Sequence, residues 1–183
     1  MFWVHPGCRR LRRTNLGACK PGDGVDLERS ATASDRVSGH MVQGHVDCAA
    51  RVVSKTADGA SCLTVELEVP AEHSRLMRYV VEKGYVALEG ASLTVCSVDR
   101  QARRFSVMLI PHTQRAIVLP RREVGALVNV EADAVGKYAV DAADGALAGA
   151  GPGPVAWASL GVSVAALGLA AWALARTFSS QRA

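Results

Sequence analysis

The stretch Lys83-Gly84-Tyr85-Val86-Ala87-Leu88-Glu89-Gly90-Ala91-Ser92-Leu93-Thr94-Val95 decides how the rest of the chain is read. Short Val/Leu runs flank Glu89-Gly90, a turn signal, and together they predict two strands, 85–88 and 92–98. Side chains two apart in a strand share a face, so the spacing places the Ser92 and Thr94 hydroxyls side by side.

Working outward, the same signature recurs at 49–54, 62–69, 104–109 and 127–132, with Asp58-Gly59 and Asp99-Arg100 as further turns. Between the second and third runs, Leu76, Tyr79 and Val80 stand at i, i+3 and i+4, with Pro70 just ahead. That spacing predicts a helix over 72–82. Six strands and one helix suggest an all-β domain, a small closed Greek-key barrel, although a two-sheet sandwich fits the periodicity almost as well.

Composition divides the chain into zones. Residues 1–45 are polar and loop-rich, with Lys20-Pro21-Gly22-Asp23-Gly24 as a turn, and 46–138 carry the strands. Residues 139–154 read as a Gly/Ala/Pro linker, and 155–176 as an apolar C-terminal helix. Positions 155–175 hold no charge before Arg176, and Trp157 and Trp172 stand near the two ends like interface anchors. This predicts a membrane-spanning helix, with a helix buried between subunits as the rival.

An internal repeat adds to this. Leu16, Gly22, Val25 and Glu28 recur as Leu119, Gly125, Val128 and Glu131 at a constant offset of 103 positions. The offset places the start of a first copy about 57 positions before Met1. Residues 1–45 are therefore expected to be the last strand region of a first barrel.

The net charge of +4 is modest. Its basic cluster, Arg9, Arg10, Arg12 and Arg13, lacks the interleaved aromatics of a nucleic-acid surface and reads as a solvated segment. The five cysteines (Cys8, Cys19, Cys48, Cys62, Cys96) show neither a CxxC pair nor metal-ligand spacing. Reduced thiols in an intracellular compartment, without a metal site, are expected. Met1-Phe2-Trp3-Val4 is too short for a secretory apolar region. Cys96 reads as a small core hydrophobe.

Five collinear motifs carry a resemblance: R-R-T-N-L-G at 12–17, G-H-x-x-x-G-H-V at 39–46, K-G-x-x-x-x-x-G-x-S-L-T-V at 83–95, F-S-V-x-L-I-P-x-T at 105–113 and V-N-V-E-A-D at 128–133. Over about residues 11–138 the chain resembles the riboflavin synthase alpha-chain family and its lumazine-binding relatives.

The resemblance implies two similar six-stranded barrels per subunit and a C-terminal helix that helps form a homotrimer. It also implies dismutation of two 6,7-dimethyl-8-ribityllumazine molecules to riboflavin and 5-amino-6-ribitylamino-pyrimidinedione, without a cofactor. The site would lie between the first barrel of one subunit and the second barrel of its neighbour. The lumazine 7-methyl group is acidic because its carbanion delocalises into the ring, so the site needs a proton acceptor and polar atoms that hold the ring.

By motif match His45 would position or deprotonate substrate, with Gly44 and Val46 beside it. Ser92 would bind the ring or act as a nucleophile on it, together with Leu93 and Thr94. Lys83 would reach the ribityl chain or ring oxygens. Met108, Leu109, Ile110, Pro111, His112 and Thr113 would form an opposing wall, with Pro111 breaking the strand ladder. His40 is expected to be structural. Glu131 and Asp133 read either as barrel-end ion-pair partners or as catalytic support.

The sequence departs from the family pattern before residue 46, where the first-barrel equivalent of Ser92 would fall ahead of Met1. An incomplete sequence of a working synthase is favoured over a truncated, non-catalytic lumazine- or flavin-binding protein.

Overall fold

The computed structural model describes residues 11, 13–59 and 61–149. The chain divides into two compact units, Met1–Val140 and Asp141–Ala183. The first holds six antiparallel strands: β1 (Cys48–Asp58), β2 (Cys62–Glu68), β3 (Tyr85–Leu88), β4 (Ala91–Asp99), β5 (Arg104–Leu109) and β6 (Leu127–Ala132). They close into a barrel in the order β1-β2-β5-β4-β3-β6. The six expected strands are all present, and closure rules out the sandwich.

Alternation drives the closure. Val65 and Leu67 of β2, Val86 and Leu88 of β3, Val95 of β4, Phe105 and Val107 of β5 and Val128 and Val130 of β6 all face inward and are almost fully buried. Each such side chain contributes roughly 1.5–3 kcal/mol relative to exposure. Leu88 pairs with Ala91 across the two-residue turn Glu89-Gly90, whose φ values are +52° and +89°. Two positive φ values match the right-handed twist of a hairpin, and glycine takes the second without steric cost.

Strand β6 departs from simple alternation, because Val128 to Ala132 are buried on both faces. Its inner face fills the barrel. On its outer face, Asn129 bonds Asn15 and Glu131 bonds the backbone of Gln43 and His45.

Several local expectations change. Residues 71–78 form a 3-10 helix with a kink at His73 that ends before Tyr79, so the predicted helix is shorter and tighter. Leu76 and Met77 are buried there, and Val80 enters the core beyond its end. Pro111 does break the ladder, and it does so by opening helix α1 (Pro111–Ala116). Its missing N–H costs nothing at a first helical position. The stretch read as linker is helical as far as Gly149, within α2 (Ala134–Gly149).

Cys96 is not a core residue. It sits half-exposed where the β4–β5 register shifts between Val95 and Ser97. Cys48 takes that place: it is 1% exposed, and burial pushes its thiol up to about 12, helped by the nearby charges of Asp47 and Glu72.

The repeat has a structural counterpart. A 3-10 turn at Asn15–Ala18 matches one at Leu119–Arg121. Gly22 and Gly125 adopt φ of +99° and +93°. Asn15 N–H donates to Asn129 Oδ1 at 2.8 Å, and Val118 N–H donates to Asp26 Oδ1 at 2.9 Å. At the offset of 103, Asn15 corresponds to Val118 and Asp26 to Asn129. The two bonds are thus one interaction made reciprocally, the mark of a local pseudo-twofold.

Candidate functional site

The segment 38–47 crosses the outer face of β4 and β6, and it builds the candidate site. Gly44, at φ +75°, turns this segment. Glu131 fixes the turn, accepting from the backbone N–H of Gln43 at 2.7 Å and of His45 at 2.6 Å. Its carboxylate is 5% exposed, and backbone amides satisfy it. Glu131 therefore holds the loop, rather than pairing with a cation at the barrel end. Asp47 anchors the other side, accepting from Ala132 N–H at 2.8 Å and from Lys137 Nζ at 2.7 Å.

Upstream, the same segment reaches Ser92. His40 N–H donates to Ser92 Oγ at 3.2 Å, and His40 Nδ1 lies 2.6 Å from the same oxygen. The imidazole stacks on Tyr85, with centroids 5.2 Å apart and planes 13° apart. Only glycine permits so close an approach at position 39, since a Cβ there would come within 2.7 Å of Ser92 Cβ. Of the two histidines, it is His40 that engages the Ser-Leu-Thr strand. The side chain of His45 is exposed and its contact with the barrel is through its backbone. The adjacent Gly39 was the available signal, because a glycine before a polar residue can mark a close backbone approach.

Ser92 and Thr94 share the outer face as expected, Ser92 half-buried under His40 and Thr94 exposed opposite Tyr85. Leu93 turns inward and is 8% exposed. In the expected wall Met108 and Ile110 are exposed, whereas Leu109 is in the core. His112 is exposed and Thr113 half-buried on α1. Val46 is half-buried beside the Gly44 turn. Lys83 is exposed at φ +64°, and its backbone N–H bonds to Val95 O at 2.9 Å. Asp133 caps α2 through Val135 N–H at 3.0 Å. Among the described residues no group of histidine, cysteine and acidic side chains could hold a metal ion.

The candidate site is an open face, with Thr94, Tyr85, Met108 and Ile110 exposed on it. Two cavities lie away from it. One of about 430 Å³ is lined by Arg13, Arg51, Glu72 and His73, among others. Another of about 300 Å³ lies between Asp26–Glu28 and the Glu89-Gly90 turn. Neither takes in a residue of the Ser-Leu-Thr strand beyond its first neighbour Ala91. Among the described residues no helix is long and apolar enough to cross a membrane, and the stretch 155–176 lies outside them.

A family model described as Lumazine binding domain matches residues 43–133. Riboflavin synthase of Schizosaccharomyces pombe is 44% identical over 137 residues, covering 75% of this chain and 64% of that protein. Riboflavin synthase of Meyerozyma guilliermondii is 41% identical, covering 69% and 52%. That of Escherichia coli K12 is 39% identical, covering 75% and 62%. The chain thus spans between half and two thirds of the length of these relatives. A solved structure of LumP complexed with riboflavin superposes with a TM-score of 0.60 at 18% identity, covering 68% of this chain and 64% of that one, a likeness of fold. Barrel, repeat and motif order agree with these matches, and the chain belongs to the riboflavin synthase alpha-chain family.

Proposed function

We propose that this chain acts in riboflavin formation, binding 6,7-dimethyl-8-ribityllumazine on the outer face of β3 and β4 and supplying half of a site for its dismutation. The observation that carries the reading is the paired Ser92 and Thr94 hydroxyls on an open strand face, bordered by a loop that Glu131 fixes.

A flat heteroaromatic ring suits such a face. Hydroxyls on a strand provide rigid hydrogen bonds to ring oxygens and nitrogens. Met108 and Ile110 offer apolar contact, and Lys83, beside the start of β3, is free to reach a ribityl hydroxyl. The exposed His45 imidazole is the candidate acceptor for the 7-methyl proton. A four-carbon unit then passes from one lumazine to the other. Riboflavin leaves as one product and the diaminated pyrimidinedione as the other, so the balance needs no external oxidant.

The second substrate requires a second face. We assign it to a neighbouring subunit across a homotrimer interface. The apolar stretch 155–176 would tether the protein to a membrane, a reading that rests on its sequence alone and is tested by detergent-dependent extraction.

The test is direct. The protein is mixed with 6,7-dimethyl-8-ribityllumazine and riboflavin is followed by absorbance. Formation in proportion to protein is the expected result, and S92A should lower it by about tenfold or more. A spectral shift without turnover would instead leave a binding protein, and the absence of any shift would overturn the proposal.

A further inference from the structure

We infer that His40 is a positioning residue that makes Ser92 a hydrogen-bond donor to the ligand and not a nucleophile. The inference rests on the reading of Ser92 as a ligand contact, and it specifies the chemistry of that contact.

Ser92 Oγ has two acceptor positions and one proton. The His40 backbone N–H occupies one acceptor position at 3.2 Å. What happens at Nδ1, 2.6 Å away, depends on the tautomer. With the proton on Nδ1, the ring donates to Oγ and both acceptor positions are filled. The serine proton must then point elsewhere, and among the described residues no other acceptor receives it. With the proton on Nε2, the serine donates to Nδ1 and keeps one acceptor position free.

Nε2 decides between these states. It is shut off from solvent and has no partner among the described residues. A proton placed there would be a buried N–H without an acceptor, whereas a bare lone pair is tolerated more readily. The bias is the difference between an unmet donor and an unmet acceptor at Nε2, not the full cost of either. The unpartnered Nε2 therefore favours the Nδ1–H form, and stacking on Tyr85 keeps the ring in plane for it.

Two consequences follow for substrate recognition. Ser92 offers O–H outward, so it selects an acceptor on the heterocycle, a carbonyl oxygen or a ring atom carrying developing negative charge. An N–H edge would meet no free lone pair. His40 in this form also cannot take the serine proton, so Ser92 lacks the adjacent base that an attacking hydroxyl needs.

The experiment uses the full chain. Long-range proton–nitrogen correlation on uniformly 15N-labelled protein reads which ring nitrogen of His40 carries the proton, with H40N identifying the signals. Riboflavin affinity is measured in parallel by quenching of flavin fluorescence. Protonation at Nδ1 is expected. S92A should weaken binding about tenfold. H40N keeps a donor near the Nδ1 position and should stay within about threefold, whereas H40D, which only accepts, should turn the serine proton inward and match S92A.

Protonation at Nε2, or wild-type affinity in a folded H40D beside a weakened S92A, would overturn the inference and leave the binding face intact. Wild-type affinity in S92A would overturn the ligand role of Ser92 itself, and the inference with it. Should H40D fail to fold, the nitrogen spectrum of the wild-type protein still decides.

Discussion

Residues 15–28 and 118–131 follow one plan, a 3-10 turn, a left-handed glycine and then a Val-x-[aliphatic]-Glu run, yet only the second run becomes a strand. Val128 and Val130 are fully buried as part of β6, whereas their counterparts Val25 and Leu27 are 44% and 78% exposed. Glu131 is buried and clamps a loop, and Glu28 is exposed. The turn and its reciprocal hydrogen bond form in both places because they need only local geometry and the opposite copy. The strand forms only where neighbouring strands supply its ladder, which β1 and β3 do for β6. The difference separates what a short sequence encodes by itself from what it encodes only in company.

The largest expected effect comes from breaking the reciprocal bond on its buried side. Asn129 is 8% exposed, accepts from Asn15 N–H and donates to Asn15 Oδ1 at 2.7 Å and to Glu89 at 3.2 Å. N129A strands these groups and should cost about 2–4 kcal/mol in urea unfolding. D26A removes the equivalent acceptor at a half-exposed position and should cost clearly less. Equal losses would show that the two halves of the pseudo-twofold are energetically alike, contrary to their burial.

Next in size is the strand itself. V130A empties part of a closed core and should cost about 2 kcal/mol, while L27A should stay within about 0.5 kcal/mol. A loss for L27A as large as that for V130A would mean that Leu27 is covered in solution. A second copy of the chain, or a barrel of its own, would then be the cover to look for. The glycines should behave alike: no neighbour lies within 4 Å of an added Cβ at Gly22 or Gly125. G22A and G125A should therefore each cost about 1 kcal/mol, from backbone conformation alone.

The barrel was legible because its signals are local. Period-two alternation and the Glu89-Gly90 turn place β3 and β4 within a residue of their observed ends, whereas the offset of 103 implied a strand after the turn in both copies and only the second forms one. Closure was less legible, since alternation says which face is inside and not whether a sheet curls shut. The site was partly legible. Ser92 and Thr94 share a face because strands alternate, a rule that needs no fold. The contacts of His40 and His45 were not legible, because their environments are set by the β4 and β6 surfaces that segment 38–47 crosses, partners 52 and 86 positions away in sequence. Cys96 was misplaced for a different reason: strand alternation sets it on the outer face with Ser92 and Thr94, and its small apolar character was weighed above that pattern.

The smallest expected effect is at Asp26, where the first copy has a carboxylate in place of the second copy's amide. Burial raises the Asp26 pKa above its ordinary 3.8, outweighing the Val118 N–H and the nearby Arg122 and Arg121 that favour the charge. The folded chain therefore binds this proton more tightly than the unfolded chain does. Its contribution to stability is fully present below the ordinary value and is lost as pH rises through the raised one. D26N keeps an oxygen for Val118 and removes the charge, copying Asn129. The two proteins should be nearly equally stable near pH 3, and D26N should gain relative to the wild type as pH rises toward about 7. Thermal unfolding across that range checks the sign. A variant that instead loses ground as pH rises would show that the arginines and the Val118 amide outweigh desolvation, and that the first copy uses its charge where the second copy has none.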